Sequence, residues 1–169
     1  MAFLRFLFAA VFCLLQLWHS NGSAVKEFND WEGLKADMFN TEYSLVDFFA
    51  SWCPHCVTLA PKFEKAAELI SKGTLKDRIH LVKIQCDDKK TGETKPICKA
   101  NNIQGFPTIN VYHKGKMFDQ YKGGRTPEAF VQYAEQIVKL GKPQFAGQQG
   151  NDQNVCLAKD FKKYVTRKS

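Results

Sequence analysis

The sequence predicts an α/β fold, a central mixed β-sheet flanked by helices on both faces. Three observations predict it. Apolar runs of strand length, residues 44–50 and 79–85, alternate with stretches whose apolar residues recur at helical spacing. A turn at His113-Lys114-Gly115-Lys116 joins two short late strands into a hairpin. Thr126-Pro127 then opens a last helix, with Thr as N-cap and Pro at the first helical position. Strand–helix alternation argues for parallel strands early in the chain, and the hairpin adds antiparallel ones.

Taken in order, residues 25–28 make a short extended start. Asn29 is placed to cap a helix over 30–39, with Trp31, Leu34 and Met38 on one face. Residues 44–50, S-L-V-D-F-F-A, suit a central strand buried on both faces. A helix over 54–72 carries Leu59, Phe63, Ala66, Ala67 and Ile70 at helical spacing; Pro61 is expected to kink it and Gly73 to end it. Residues 79–85 form the next strand, 90–102 a polar stretch with room for a short helix. Strands over 108–112 and 117–121 flank the turn, and the last helix runs to Leu140, where Gly141 and Pro143 stop it.

The chain has 169 residues, enough for one domain plus end segments, and its fourteen Phe supply a core. The net charge of +7 is uneven. Residues 25–138 hold 16 Lys/Arg against 15 Asp/Glu, whereas 139–169 hold seven against two. The folded part is therefore near neutral, and no basic face of the kind a nucleic-acid function needs is evident in it. A basic tail could touch anionic surfaces, but a solvated end is the commoner case, and membrane association is not expected.

Residues 1–24 read as a cleaved signal peptide. Arg5 precedes an apolar run over 6–15, and small residues Ser20, Gly22, Ser23 and Ala24 follow. The run is short for a spanning helix. The expected domain is 25–140, followed by a polar linker and basic tail over 141–169. Within the tail, 144–154 is low in complexity and expected to be mobile, and Leu157, Phe161, Tyr164 and Val165 are placed to share one face of a short helix. Export implies an oxidising compartment, the endoplasmic reticulum lumen or the exterior. It leaves Cys53, Cys56, Cys86, Cys98 and Cys156.

The central motif is Trp52-Cys53-Pro54-His55-Cys56, where a buried strand ends and a helix begins. A thiol must ionise to attack. Unpaired N–H groups at a helix start favour an anion, and the His55 imidazole can add positive charge. Cys53 is therefore the expected nucleophile, exposed and acidic. Cys56, one turn deeper, is placed to attack the mixed disulfide and release substrate. Zinc would need four ligands, and no second ligand pair stands at suitable spacing. No metal or cofactor is called for. An inert structural disulfide is the other plain reading of the pair.

The stretches L-V-D-F-F-A-S-W-C-P-H-C-V-T-L-A-P-K-F-E-K-A-A, V-K-I-Q-C-D-D, I-C-K-A-N-N-I-Q-G-F-P-T-I and Y-K-G-G-R resemble a protein disulfide isomerase-type thioredoxin domain. The resemblance covers residues 25–140 and implies a thioredoxin fold. It implies that Pro107 is a cis-proline facing the active-site cysteines and that Gly105, Phe106, Pro107 and Trp52 line the substrate site. It also implies a redox disulfide between Cys53 and Cys56. Asp47 matches a buried acid beneath the second cysteine, and its apolar strand should raise its pKa and make it a proton acceptor for Cys56. Lys83 matches a lysine pairing with that acid; Arg125 matches an arginine that lowers the pKa of the resolving cysteine. For both, a plain surface charge is the alternative. Cys86 and Cys98 match a second pair, bonded or simply buried thiols. Cys156 is left over, either free or joining two chains into a dimer.

The chain departs from the family pattern at four places. Pro54 replaces the usual Gly between the cysteines, Asp47 the usual Glu, and Val57 the frequent Lys. The last residues, Thr-Arg-Lys-Ser, are not a Lys-Asp-Glu-Leu retention signal. The implied function is dithiol–disulfide exchange on cysteine-containing polypeptides, with glutathione or another redox protein as electron partner. The alternative class is a binding protein, a thioredoxin-fold chaperone or adaptor working without redox turnover.

Overall fold

The computed structural model describes residues 23–141 and 155–165. Residues 1–22 of the expected signal segment, the low-complexity stretch, and the side chains of Tyr164 and Val165 lie outside the described residues. The elements are β1 (Lys26–Phe28), α1 (Trp31–Asn40), β2 (Tyr43–Phe49), α2 (Pro54–Lys72), β3 (Ile79–Gln85), α3 (Pro96–Ala100), β4 (Gly105–Phe106), β5 (Thr108–His113), β6 (Lys116–Gln120) and α4 (Pro127–Leu140). After the undescribed stretch come β7 (Cys156–Leu157), a 3-10 turn (Ala158–Asp160) and α5 (Phe161–Val165).

A five-stranded sheet has the order β1-β3-β2-β5-β6. β3 runs parallel to β1 and β2, whereas β5 and β6 add antiparallel strands. The sheet is therefore mixed, as the sequence predicts. β2 is central, and its side chains alternate between two apolar layers. Tyr43 and Leu45 pack with Leu59, Phe63 and Ile70 of α2 and Phe130, Tyr133 and Ile137 of α4. Val46 and Phe48 pack on the opposite face with Leu34 and Met38 of α1.

The local signals explain the elements. Thr126 Oγ1 accepts the Ala129 N–H at 3.2 Å, and Gly141 ends α4 with φ 64°. The hairpin turn needs two left-handed residues; Lys114 (φ 47°) and Gly115 (φ 76°) supply them. α2 spans the expected 54–72, runs through Pro61 and stops at Gly73. The first helix corrects the sequence reading. Its N-cap is Asp30, not Asn29, because the Asp30 carboxylate accepts the Gly33 N–H at 2.7 Å. Glu64 of α2 accepts from the Ser23 hydroxyl at 2.8 Å and from the Ala24 N–H, so these last two residues of the expected signal segment are hydrogen-bonded to the domain.

Candidate active site

Cys53 is the N-cap residue of α2, directly after β2 and the turn 50–52. The turn is fixed from the side. Asp87, buried just beyond β3, accepts the Ser51 N–H at 2.9 Å and the Ser51 hydroxyl at 2.6 Å. The Gln85 amide donates to the same carboxylate at 3.2 Å. Asp87 is absent from the sequence reading because an acid after a strand looks like any loop acid.

The peptide bond Phe106–Pro107 is cis, as the resemblance implies. Gly105, Phe106 and Pro107 are buried against the motif. Cys53 Sγ lies 3.3 Å from the Phe106 carbonyl oxygen, and Trp52 meets the Phe106 ring edge-on at 6.1 Å. Pro54 is exposed and His55 half-buried at the first turn of α2.

The cysteine pairing differs from expectation. Cys53 is bonded to Cys156, not to Cys56, and Cys56 is a free, buried thiol. The reason is β7. It pairs antiparallel with β4, placing Cys156 opposite Phe106 and hence beside Cys53. Cys53 is consequently fully buried rather than exposed. The same bond corrects the reading of Cys156 as free or as a link between chains, since its sulfur is used within the chain. Cys86 and Cys98 form a second disulfide, which joins the end of β3 to α3.

Asp47 lies in the middle of β2, 4% exposed, and its Oδ1 has no hydrogen-bond partner among the described residues. Burial raises its pKa to about 7, against the pull of Arg125 and, less strongly, Lys83. The Cys56 thiol is pushed far up, first by burial and then by the negative charge of Asp47; Arg125 pulls the other way. Arg125 is thus electrostatically coupled to both groups. Lys83 is not the ion-pair partner of Asp47. Its ammonium bonds Glu27 at 3.1 Å and lies 5.8 Å from the Phe49 ring centroid. It stands level with Asp47 in the β2–β3 register and acts on it only through space.

A helix N-terminus bearing one sulfur, a second thiol a turn deeper, a buried acid and a facing cis-proline define a thioredoxin-fold site. Residues 25–136 match the thioredoxin family model, described as "Thioredoxin", and the chain belongs to that family. It is 41% identical over 97 residues to a protein disulfide-isomerase of Hordeum vulgare, covering 57% of this chain and 18% of that protein. Among solved structures, human ERp44 form I superposes with a TM-score of 0.60 at 25% identity, over 68% of this chain and 29% of that one. The first two thioredoxin domains of Naumovozyma dairenensis Eps1p give a TM-score of 0.58 at 29% identity, over 70% and 41%. The chain spans about a fifth of the length of the disulfide-isomerases that it matches. Among the described residues no helix is long and apolar enough to cross a membrane.

Proposed function

We propose that this chain is a thiol–disulfide oxidoreductase of the secretory pathway that forms, reduces or rearranges disulfides in protein substrates through Cys53 and Cys56. The observation that carries the reading is the placement of Cys53. Its sulfur is engaged in a disulfide at the start of α2, against the Phe106 carbonyl, with the Cys56 thiol one turn deeper.

In the reducing direction, Cys53 thiolate attacks a substrate disulfide, one substrate sulfur leaves as thiolate, and a mixed disulfide forms. Positive charge at the helix start and His55 favour the thiolate. Cys56 then loses its proton to Asp47 and attacks Cys53 Sγ. The Cys53–substrate bond breaks, the second substrate sulfur takes up a proton, and a Cys53–Cys56 disulfide remains. Glutathione or another redox protein returns the two electrons. Oxidation of substrates is the reverse sequence. Phe106 and Pro107 hold the extended substrate, and Arg125 tunes Cys56. Cleavage near Gly22 to Ala24 would release the chain, with residues 25–140 as its working domain, into the endoplasmic reticulum or the exterior. The identity of residue 54 sets the poise between oxidation and reduction.

The test is insulin reduction and reduced-RNase refolding by the full chain and by Cys53→Ser. Loss of at least 100-fold in both is expected; activity equal to wild type sinks the reading.

A further inference from the structure

The segment 155–165 is docked, not merely crosslinked. Its backbone pairs with β4 at Gly105↔Leu157 and Phe106↔Cys156, and Cys156 is fully buried. Gly105 is packed so closely that an added Cβ would lie 3.3 Å from Leu157 Cδ2 and 3.4 Å from the Cys156 carbonyl oxygen. The Phe161 ring meets Trp52 edge-on at 5.8 Å. The same ring covers Gly92, where a Cβ would come within 2.2 Å of it, so only glycine admits it. The Leu157 N–H is satisfied by Asp160 Oδ2 at 3.2 Å. Three independent features, a strand pair, an aromatic socket and a disulfide, hold one segment over Cys53.

We propose that Cys156 is a third redox-active cysteine, carried on an internal substrate strand that closes the site and is released by Cys56. The proposal rests on the oxidoreductase reading above and deepens it. The closed form, with its Cys53–Cys156 bond, has the connectivity of a mixed disulfide awaiting resolution. Cys56 thiolate attacks Cys53 Sγ, its proton having gone to Asp47. The Cys53–Cys156 bond breaks, and Cys156 leaves as a thiolate that takes a proton from water. Cys53–Cys56 is the new disulfide, so no outside oxidant or reductant is consumed. Opening frees the β4 edge and the Trp52 face together, and a polypeptide strand can then take the place of β7. Tethering keeps Cys156 at a high effective concentration, of order millimolar, so closure competes with substrates.

The experiment uses the full chain made in an oxidising compartment. Non-reducing peptide mapping by mass spectrometry measures the Cys53–Cys156 and Cys53–Cys56 linkages in wild type, Cys56→Ser, Cys156→Ser and Phe161→Ala. Stopped-flow measurement follows oxidation of a reduced two-cysteine peptide by each oxidised protein that retains Cys56. The expected result is a Cys53–Cys156 linkage in wild type that becomes quantitative in Cys56→Ser. Phe161→Ala, which keeps every sulfur, is expected to shift the ratio toward Cys53–Cys56 by roughly tenfold. Cys156→Ser should oxidise the peptide about tenfold faster than wild type. A wild type holding only Cys53–Cys56, or a Cys156 bond between two chains, overturns the proposal, as does a Cys156→Ser rate equal to wild type. Those failures leave the oxidoreductase reading intact if Cys53→Ser is inactive; an active Cys53→Ser removes both.

Discussion

Asp47 carries a burial cost that its proposed role as proton acceptor makes testable. β2 is buried along nearly its whole length, and a carboxylate at its centre has little water to solvate it. With the pKa raised from an ordinary 3.8 to about 7, the folded chain holds a proton that the unfolded chain releases between about pH 4 and 7. Stability should therefore fall as pH rises through that window, be unaffected by the shift below it, and bear the full cost above it. Asn keeps the neutral shape without the ionisation. Asp47→Asn is expected to match wild type near pH 4 and to exceed it by about 2–4 kcal/mol at pH 8, read from urea unfolding across pH. The same variant cannot accept the Cys56 proton, so release of a mixed disulfide should slow by roughly 100-fold. A purely structural Asp47 would not give a more stable and slower protein. The sequence exposes this residue because an acid inside L-V-D-F-F is conspicuous. It does not expose the partner of Lys83, because Glu27 comes from β1, a strand whose pairing the pattern leaves open.

At the scale of elements, capping gives a sharp comparison. Asn29 and Asp30 are both good caps by residue type, and only the geometry assigns the role to Asp30. Asp30→Ala should cost about 1 kcal/mol, whereas exposed Asn29→Ala should stay within about 0.5 kcal/mol; chemical denaturation of the two variants distinguishes them. Elements with strong local signals are legible in the sequence. α2 and β3 have the expected bounds because Pro54, Gly73 and long apolar patterns punctuate them. β7 has no such signal. Two residues, Cys156 and Leu157, form it because a distant edge, Gly105–Phe106, accepts them. Pairing of this kind follows from tertiary contact and not from local periodicity. The candidate site is legible to the same degree: Cys53, Cys56, Asp47 and Pro107 stand in dense motifs, while Cys156, Phe161 and Asp87 reach it through contacts distant in sequence.

For the whole molecule, the Cys86–Cys98 bond ties the sheet to the surface that receives the docked segment. Both cysteines are fully buried, with Cα atoms 5.7 Å apart and a sequence separation of 12. The loop they close contains Asp88, which accepts the Lys90 and Thr91 N–H groups at 2.9 Å each, and Gly92, the seat of Phe161. It also contains Thr94, which bridges to Asp87, the residue that fixes the Ser51 turn. One disulfide thus stiffens the support of the active-site turn and the socket of segment 155–165 together. Closing a loop of this size stabilises a fold by about 3 kcal/mol in the chain-entropy account. Replacing both partners, Cys86→Ala with Cys98→Ala, should lower stability by about that amount and the midpoint of thermal unfolding by on the order of 10 °C. Because the pair closes the loop that carries Gly92, the double variant should also move the oxidised chain from Cys53–Cys156 toward Cys53–Cys56. Calorimetry and non-reducing peptide mapping on one preparation read both effects; a stability loss with an unchanged linkage ratio would show that the loop supports the fold but not the closed site.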